Sequence, residues 1–504
     1  MTLAWILFSI YLIGTSYLGW IGYKKTDGFS SFAIGKGDMS PIVVGITLAA
    51  STASAATFII NPGFIYVDGL SAWINMFLGT YSGFMIMLII LSFKFRSMGE
   101  KMKALTIPDW IGKRYQSRNF SLYFAFINLL SFAFVVLLVG GISIVMQKLL
   151  GVNNITALLI TLIFVTGYVF LGGTYAHVYT NVFQGVLMII VSCAILWTGI
   201  ELMMDTHDPG FWEQISQNDP NLLKLINPEG KLFNDFFSTY IAGFFIGAAL
   251  VCQPHILTKA LYVKTNKDVR NYIIVVGVVL LLFLLLVSAG FFAHVAVDPA
   301  QLIDSSTGEF RQDLVMTVYL ANAFPDWTFT VVSIVLLAAA MSTLDGLLVS
   351  ISTITANDLV INLIDKFSKK EIAEEQKMKL SFRVSHLVLI IIAILVFAVN
   401  INPPKLLGIY GQVGVYGLVL AALAPLLVGV LLNNSPIKLL WTASILAVIT
   451  HFVLYFYGND LLPNSGFTFA NPSVTAVLAI IIVIFPTLVI AWKLDKKIVK
   501  NSKK

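Results

Sequence analysis

The chain has few charged residues and only two cysteines. Charged side chains make up 12% of its 504 residues and hydrophobic ones 58%, whereas a soluble domain carries about 25% charged residues. These proportions exclude a soluble enzyme, a disordered chain and a fibrous repeat. Cys193 and Cys252 lie in apolar runs, without the spacing of a disulfide framework or a metal site. The composition is typical of a polytopic helical membrane protein.

Long apolar runs divide the chain into candidate membrane spans. A spanning helix needs about 20 mostly apolar residues, and the sequence contains thirteen such runs. They cover residues 2–23, 41–66, 69–93, 119–147, 153–171, 176–200, 236–258, 271–296, 327–356, 384–401, 404–432, 436–458 and 472–492. The longest connections, 201–235 and 297–326, are too short for a separate soluble domain. We therefore predict a single all-α transmembrane domain over 1–504.

Basic residues predict the orientation of these spans, because inner loops of membrane proteins are enriched in lysine and arginine. With the N-terminus outside and the C-terminus inside, all but five of the 32 lysines and arginines fall in inner segments, Lys259 among them. The two long outer loops are acidic. The net charge of +6 is thus a topology signal, and we expect no nucleic-acid partner.

The second span loses its apolar regularity in the middle. It reads PIVVGITLAASTASAATFIINPG, with four hydroxyl residues at its centre: Ser51, Thr52, Ser54 and Thr57. Small residues of this kind permit close helix packing. They are also typical of a broken helix whose carbonyls and amides face a ligand. The pattern by itself leaves both interpretations open.

The seventh span is interrupted in a similar way. It reads STYIAGFFIGAALVCQPHILTK, and Pro254 within it removes a backbone donor and frees a carbonyl one turn back. The second and seventh spans lie five apart, as corresponding helices do in an inverted five-plus-five repeat. We predict one repeat over 41–200 (spans 2–6) and a second over 236–432 (spans 7–11). Residues 1–40 then form an extra span and loop, and 436–504 two extra spans and a basic tail.

The ninth span carries polar residues on one face. Ala339, Ser342 and Thr343 stand at i, i+3 and i+4, so they share a face of the helix. Two hydroxyls and a carbonyl there suit a hard monovalent cation, which takes oxygen ligands. The alternative is that the hydroxyls bond back to carbonyls of their own helix.

Asp345 is the only carboxylate well inside any predicted span. Acids inside the membrane are costly and indicate function by default. One hypothesis is a proton relay. The other is a structural acid near the inner end of the span that bonds to backbone or a cation. The histidines nearest in sequence, His294 and His386, lie on other spans.

Three motifs in these regions resemble those of the sodium/solute symporter family. They are GG followed by AHVYTNVFQG (Gly172 to Gly185), QPH (Gln253–His255) and AAAMSTLDGLL (Ala338–Leu348), of which the last is the most specific. The resemblance covers about residues 2 to 495. The segments SAATFIINPGFIY (Ser54–Tyr66) and NPPKLLG (Asn402–Gly408) resemble the pantothenate branch. The family implies a leucine-transporter-like fold and sodium coupling.

The resemblance also implies site residues. The family's main sodium site falls in this chain on the carbonyls of Ala50, Ala53 and Ala339 and the hydroxyls of Ser342 and Thr343. Some relatives bind a second sodium ion through an acid at the position of Asn181 and serines at those of Asp345 and Gly346. Because this chain has neither, we predict one ion. The solute is expected to contact Thr52, Ser54, Thr57, Asn75, Phe244 and Gln412.

These inferences together predict a sodium-coupled secondary active symporter in a bacterial cell membrane, not an enzyme. It would import a small organic solute by alternating access with one sodium ion. A carboxylate such as pantothenate or another monocarboxylate is the predicted solute, and an amino acid such as proline or a sugar is the alternative. Rival mechanisms are a proton-coupled carrier using Asp345, or a channel. We expect a monomer whose partners are the solute and the lipid bilayer.

Overall fold

The computed structural model describes residues 2–54, 56–205, 208–303, 308–367, 373–404, 406–434 and 436–501. Ala55 and Lys405, which belong to two of the motifs quoted above, lie outside the described residues. Helices account for nearly all the regular structure. In the part of the chain that is described, β structure is confined to one isolated antiparallel bridge between Ile303 and Phe310.

The α-helices follow one another along the whole chain. In order, they are α1 (Thr2–Lys25), α2 (Phe29–Ile34), α3 (Pro41–Thr52), α4 (Asn61–Asp68), α5 (Leu70–Trp73), α6 (Thr80–Met102), α7 (Ile107–Arg114), α8 (Arg118–Ile127), α9 (Phe132–Leu150), α10 (Asn154–Met204), α11 (Phe211–Asn218), α12 (Ala242–Leu250), α13 (Pro254–Leu257), α14 (Asn266–Leu285), α15 (Ala289–Ala296), α16 (Val315–Ala323), α17 (Asp326–Ile354), α18 (Asn362–Phe367), α19 (Glu374–Ile401), α20 (Leu407–Leu431), α21 (Ile437–Leu461), α22 (Pro472–Ala479) and α23 (Phe485–Asn501). Several are extended by π-helical turns, among them Ala56–Ile60, Ile74–Gly79, Phe237–Ile241, Thr355–Ile361 and Ile480–Ile484. A 3-10 turn, Thr258–Tyr262, continues α13.

Ten helices in the described ranges are long and apolar enough to cross a membrane, and up to twelve if each of two bent pairs is one span. The chain is thus a multi-pass membrane protein. One of the ten, α10, has 51 residues, which would reach about 75 Å if straight, more than twice the hydrocarbon thickness of about 30 Å. Gly173 interrupts it with φ 50° and ψ −133°, a conformation that favours glycine. The interruption falls between predicted spans 153–171 and 176–200.

The two bent pairs are the second and seventh predicted spans. α3 and the helical segment Ala56–Asp68 meet at 52°, and Phe237–Leu250 and Pro254–Tyr262 meet at 63°. Pro254 is the first residue of α13, where its missing N–H costs nothing. The carbonyl of Leu250 accepts from the backbone N–H of Gln253 at 3.1 Å and from its side chain at 3.2 Å. Both helices therefore break in the segments that the sequence indicates.

The most buried helices are α17 and α20. In the most apolar stretch of each candidate span, 94% of the residues are buried for the span that contains α17 and 100% for α20. The buried share is 28% for α1 and for α19. α17 packs against α3, α9 and α10. Because the ninth predicted span is central, polar side chains on it face other helices and not lipid.

Glycines allow α6 and α12 to approach closely. A Cβ at Gly83 would collide with the backbone carbonyl of Phe244, and one at Gly243 with the carbonyl of Asn75. Close packing at small residues is a common way for membrane helices to associate. This contact fixes which face of α12 turns inward beside the helix break.

Candidate functional site

The last turn of α3 contacts the middle of α17. The hydroxyl of Ser342 donates to the carbonyl of Ala50 at 3.0 Å and to that of Ala339 at 2.7 Å. The hydroxyl of Thr343 donates to the carbonyl of Ser51 at 2.9 Å. The last carbonyls of a helix have no partner within it, so the α17 hydroxyls cap the broken end of α3. Ala339, Ser342 and Thr343 are fully buried.

Three of the five residues predicted for the sodium site are thus joined directly: Ala50, Ala339 and Ser342. Thr343 contacts the same helix end through the carbonyl of Ser51, which is not a predicted ligand. Ala53, the fifth, is fully buried immediately after α3 and donates its N–H to the carbonyl of Ala49 at 2.9 Å. The alternative that both hydroxyls bond only to their own helix is not what the structure shows. Ser342 bonds to its own helix and to α3, and Thr343 bonds to α3.

Asn181 of α10 contacts both helices at this junction. Its side-chain amide donates to the Ser51 hydroxyl at 2.8 Å and to the carbonyl of Ser342 at 2.7 Å. Both bonds use the nitrogen as donor, and the side-chain oxygen of Asn181 is buried without a hydrogen-bond partner. Asn181 ties α10 to the α3–α17 contact.

Asp345 lies at the centre of a buried polar cluster that also contains His177, Tyr168 and Thr180. Its carboxylate is 2.8 Å from His177 Nδ1 and accepts from the hydroxyls of Tyr168 at 3.0 Å and Thr180 at 3.1 Å. Asp345 and Thr180 are fully buried. All of its named partners lie on α10, so the cluster joins α10 to α17.

Sequence reasoning missed the partnership of His177 with Asp345. The histidines considered for that role contact other groups, since His294 lies 2.8 Å from the carbonyl of Tyr66 and His386 lies 2.8 Å from that of Phe170. A signal was nevertheless present. His177, Thr180 and Asn181 stand at i, i+3 and i+4 within the AHVYTNVFQG motif, so they share one helical face.

Lys259 was also missed, because it was counted with the inner-loop charges. Its side chain is fully buried. The ammonium donates to the carbonyl of His255 at 2.7 Å and to the Ser51 hydroxyl at 3.2 Å. A basic side chain therefore reaches the broken end of α3 from the second half of the seventh span.

A cavity opens beside this junction, lined by both helix breaks. Five of the residues predicted to contact the solute line it: Thr52, Ser54, Thr57, Asn75 and Gln412. Thr52 donates to its own helix at the carbonyl of Leu48 (2.8 Å), and the Ser54 hydroxyl accepts from the N–H of Ala56 (3.1 Å). Asn75 donates to the carbonyl of Ser238 at 2.6 Å.

Phe244, the sixth predicted solute contact, does not line this cavity. It lines a separate surface groove with Leu78 and Tyr240. Side chains two positions apart on an α-helix point about 200° away from each other. Ile246 therefore faces the cavity, and Phe244 faces away from it. The prediction for Phe244 is corrected accordingly.

Several polar cavity residues were not predicted as solute contacts: Asn61, Gln253, His255, Tyr416, Asn471 and Ser473. Three of these carry a buried side-chain atom without a hydrogen-bond partner, namely Asn61 Oδ1, Gln253 Oε1 and His255 Nδ1. Since Gln253 donates its amide nitrogen to the carbonyl of Leu250, its side-chain oxygen is left as a buried acceptor without a partner, on a residue that lines the cavity. The QPH motif was recognised as a break in the helix, but its side chains also form the wall.

The chain matches the model of the sodium:solute symporter family over residues 32–435. The sodium/pantothenate symporter of Haemophilus influenzae is 26% identical over 409 residues, which are 80% of this chain and 79% of that protein. The sodium/pantothenate symporter of Escherichia coli is 25% identical over 450 residues, 86% of each chain. Sodium/proline symporter 2 of Staphylococcus saprophyticus is 27% identical over 280 residues, 52% of this chain and 50% of that protein.

The fold is similar to that of a Na+-coupled sialic acid symporter solved in a substrate-bound outward-open state. The two structures have a TM-score of 0.73 at 14% sequence identity, over 97% of this chain and 98% of that one. The family predicted from the three motifs is confirmed. The chain belongs to the sodium:solute symporter family.

Proposed function

We propose that this protein imports a small organic monocarboxylate, such as pantothenate, together with one sodium ion. The observation that carries the proposal is the contact between the α17 hydroxyls and the terminal carbonyls of α3, directly beside the cavity. The contact gathers oxygen atoms of two separate helices at a helix break. Oxygen ligands of this kind suit a hard monovalent cation.

The proposed sodium ligands are the carbonyls of Ala50, Ala53 and Ala339 and the hydroxyls of Ser342 and Thr343. On binding, the ion replaces the Ser342 hydroxyl hydrogen as the partner of the Ala50 and Ala339 carbonyls, and the hydroxyls of Ser342 and Thr343 each turn a lone pair toward it. The ion then holds α3 against α17. Sodium affinity therefore differs between states in which these helices are together and apart, which is the requirement for coupling.

The topology we propose has thirteen crossings with the N-terminus outside. Dividing α10 at Gly173 adds one span to the twelve obtained when each bent pair is one span. Spans 2–6 and 7–11 form the two inverted repeats, with their broken first members facing each other across the cavity. Asn471 and Ser473, at the start of the last span, add to the wall from outside the repeats.

The cavity wall supports a monocarboxylate with additional hydroxyl or amide groups. Its described lining includes no lysine, arginine, aspartate or glutamate. A carboxylate would be compensated by the adjacent sodium ion and by the positive end of the helical segment beginning at Ala56. The free acceptors of Asn61 and Gln253 suit hydroxyl or amide donors on the solute.

An amino acid such as proline is the second candidate. The same unpartnered acceptors would accept from an ammonium or iminium group, and the relatives include sodium/proline symporters. A proton-coupled carrier is less well supported, since the Asp345 carboxylate is already bonded by three side chains of α10. It lies in that cluster and outside the cavity lining.

The charge of the solute decides how much work one sodium ion performs. One sodium ion crossing 100 mV supplies about 2.3 kcal/mol, and a tenfold gradient supplies about 1.4 kcal/mol. Together, about 3.7 kcal/mol would concentrate a neutral or zwitterionic solute roughly 500-fold. A monoanion moving with one sodium ion carries no net charge, so only the gradient acts and the limit is about tenfold.

The test is uptake into proteoliposomes under an inward sodium gradient, with labelled pantothenate, proline, lactate and glucose compared in parallel. We expect saturable pantothenate uptake that requires sodium, is not replaced by a proton gradient and generates no current. Current accompanying an anionic solute would contradict the single-ion stoichiometry. Sodium-dependent uptake of proline alone would select the second candidate. Sodium flux that is independent of every solute and does not saturate would indicate a channel.

A further inference from the structure

Lys259 is the one buried lysine in the described part of the chain, and it is fully buried. A lysine near the end of a membrane helix normally extends its ammonium toward water or headgroups. This side chain instead reaches back to the break in the second span. A buried charge is costly unless it is paired and hydrogen-bonded, so its position requires an explanation.

The ammonium joins the two broken helices. It donates to the carbonyl of His255, at the start of the second half of the seventh span, and to the hydroxyl of Ser51, in the last turn of α3. Ser51 Oγ also accepts from Asn181. Two nitrogen donors thus occupy the lone pairs of one hydroxyl oxygen. Ser51 directly follows Ala50, whose carbonyl is a proposed sodium ligand.

One buried acid and two histidines lie in the same region as Lys259. Asp345, on α17, is close enough for its charge to act on Lys259 and lies 2.8 Å from His177 Nδ1, while the carbonyl of His255 accepts from Lys259. Lys259 as an ammonium and Asp345 as a carboxylate would sum to zero. A sodium ion on the carbonyls of Ala50 and Ala339 adds a second positive charge that draws on the same single carboxylate.

We propose that the Lys259 ammonium is a tethered internal cation that competes with sodium at the broken end of α3, an inference that rests on the proposed function. When sodium occupies the carbonyls, repulsion moves the ammonium away from Ser51. When sodium leaves toward the inside, the ammonium returns to Ser51 and compensates Asp345. Lys259 thereby lowers the sodium affinity and speeds the return of the empty carrier.

Because Lys259 lies on the second half of the seventh span, its displacement also moves the wall of the cavity. The same backbone segment carries Gln253 and His255, which line the cavity. Sodium binding is therefore transmitted to the solute site through the ammonium. Lys259 acts in this way as a positioning residue, which contacts neither the ion nor the solute in the proposed arrangement.

The test is a sodium titration of the purified protein by thermal shift, with choline chloride holding the ionic strength constant. The variants are Lys259→Gln, which removes the charge but can still donate to Ser51, and Lys259→Arg, which keeps the charge. Lys264→Gln is the matched control, since it neutralises an exposed lysine five residues away. A second assay compares net solute uptake with solute exchange, because exchange does not require return of the empty carrier.

We expect Lys259→Gln to lower the sodium concentration for half-saturation at least tenfold and to reduce net uptake more than exchange. Lys259→Arg and Lys264→Gln should remain within about threefold of the wild type. Asp345→Asn should shift half-saturation upward, and it keeps the test decisive if Lys259→Gln does not fold. An unchanged or raised half-saturation in Lys259→Gln, or equal shifts in Lys259→Gln and Lys259→Arg, would overturn the inference. A wild type that sodium does not stabilise relative to choline would instead reject the proposed function.

Discussion

Removing the two hydroxyls of α17 is the most informative perturbation of the proposed sodium site. Ser342→Ala and Thr343→Ala, alone and together, delete the side chains that contact the carbonyls of Ala50 and Ser51. Each substitution leaves a buried carbonyl without its donor, at a cost of about 1–3 kcal/mol in folding stability. The double variant is therefore expected to lose about 2–6 kcal/mol.

The effect on sodium is separable from the effect on folding. Each hydroxyl is one of five proposed ligand oxygens, and loss of about 1.4 kcal/mol per ligand corresponds to a tenfold rise in the half-saturating sodium concentration. The double variant should thus need about 100-fold more sodium for solute uptake in proteoliposomes. Ser342→Thr and Thr343→Ser keep the hydroxyls and should stay near the wild type.

Ser352→Ala is the matched control for these variants. Ser352 is a fully buried serine on the same helix, and its hydroxyl donates to the carbonyl of Val349 on that helix. It should leave the sodium dependence unchanged. If the double variant folds and keeps the half-saturating sodium concentration of the wild type, sodium does not bind to these hydroxyls and the reasoning is refuted.

Three further substitutions test the surrounding structure. Asp345→Asn should retain sodium-driven uptake but lose several kcal/mol of stability, because it breaks a buried charged cluster. Uptake that a proton gradient drives in the wild type but not in this variant would show a proton relay instead. Gly83→Ala should lower the melting temperature, at a cost of about 1–3 kcal/mol, because its Cβ would meet the backbone of α12. Gly167→Ala is its control, since the added carbon would meet no atom of a neighbouring helix within 4 Å, and equal melting temperatures for the two variants would contradict the packing argument. Asn181→Asp should destabilise the protein in choline chloride, since a carboxylate would face the two acceptors that the amide now contacts. High sodium should restore part of the lost stability, whereas wild-type stability of the variant in choline chloride would show that those contacts are unimportant.

The break in the seventh span could be predicted because its cause is local, since Pro254 removes a backbone donor wherever the helix lies. The hydroxyl cluster of the second span was compatible with close packing as well as with a break, and the five-span spacing favoured the break. The shared face of Ala339, Ser342 and Thr343 on α17 could also be predicted from local sequence, since i, i+3 and i+4 spacing places three residues on one face of any helix.

The partners of those residues could not be predicted, because they depend on how distant spans dock. His177 and Asp345 are 168 positions apart, and Lys259 and Ser51 are 208 apart. Counting basic residues assigns Lys259 to an inner loop, since a side chain that folds back into the protein has no local sequence signature. Phe244 was misplaced because the direction of its helix face is set by the glycine contact between α6 and α12.

Equilibrium binding of labelled sodium to the purified protein tests the central claim most directly. We predict one sodium ion per chain, bound more tightly when the transported solute is present, and lost in the Ser342→Ala, Thr343→Ala double variant but retained in Ser352→Ala. Undiminished sodium binding by the folded double variant would contradict a site between α3 and α17.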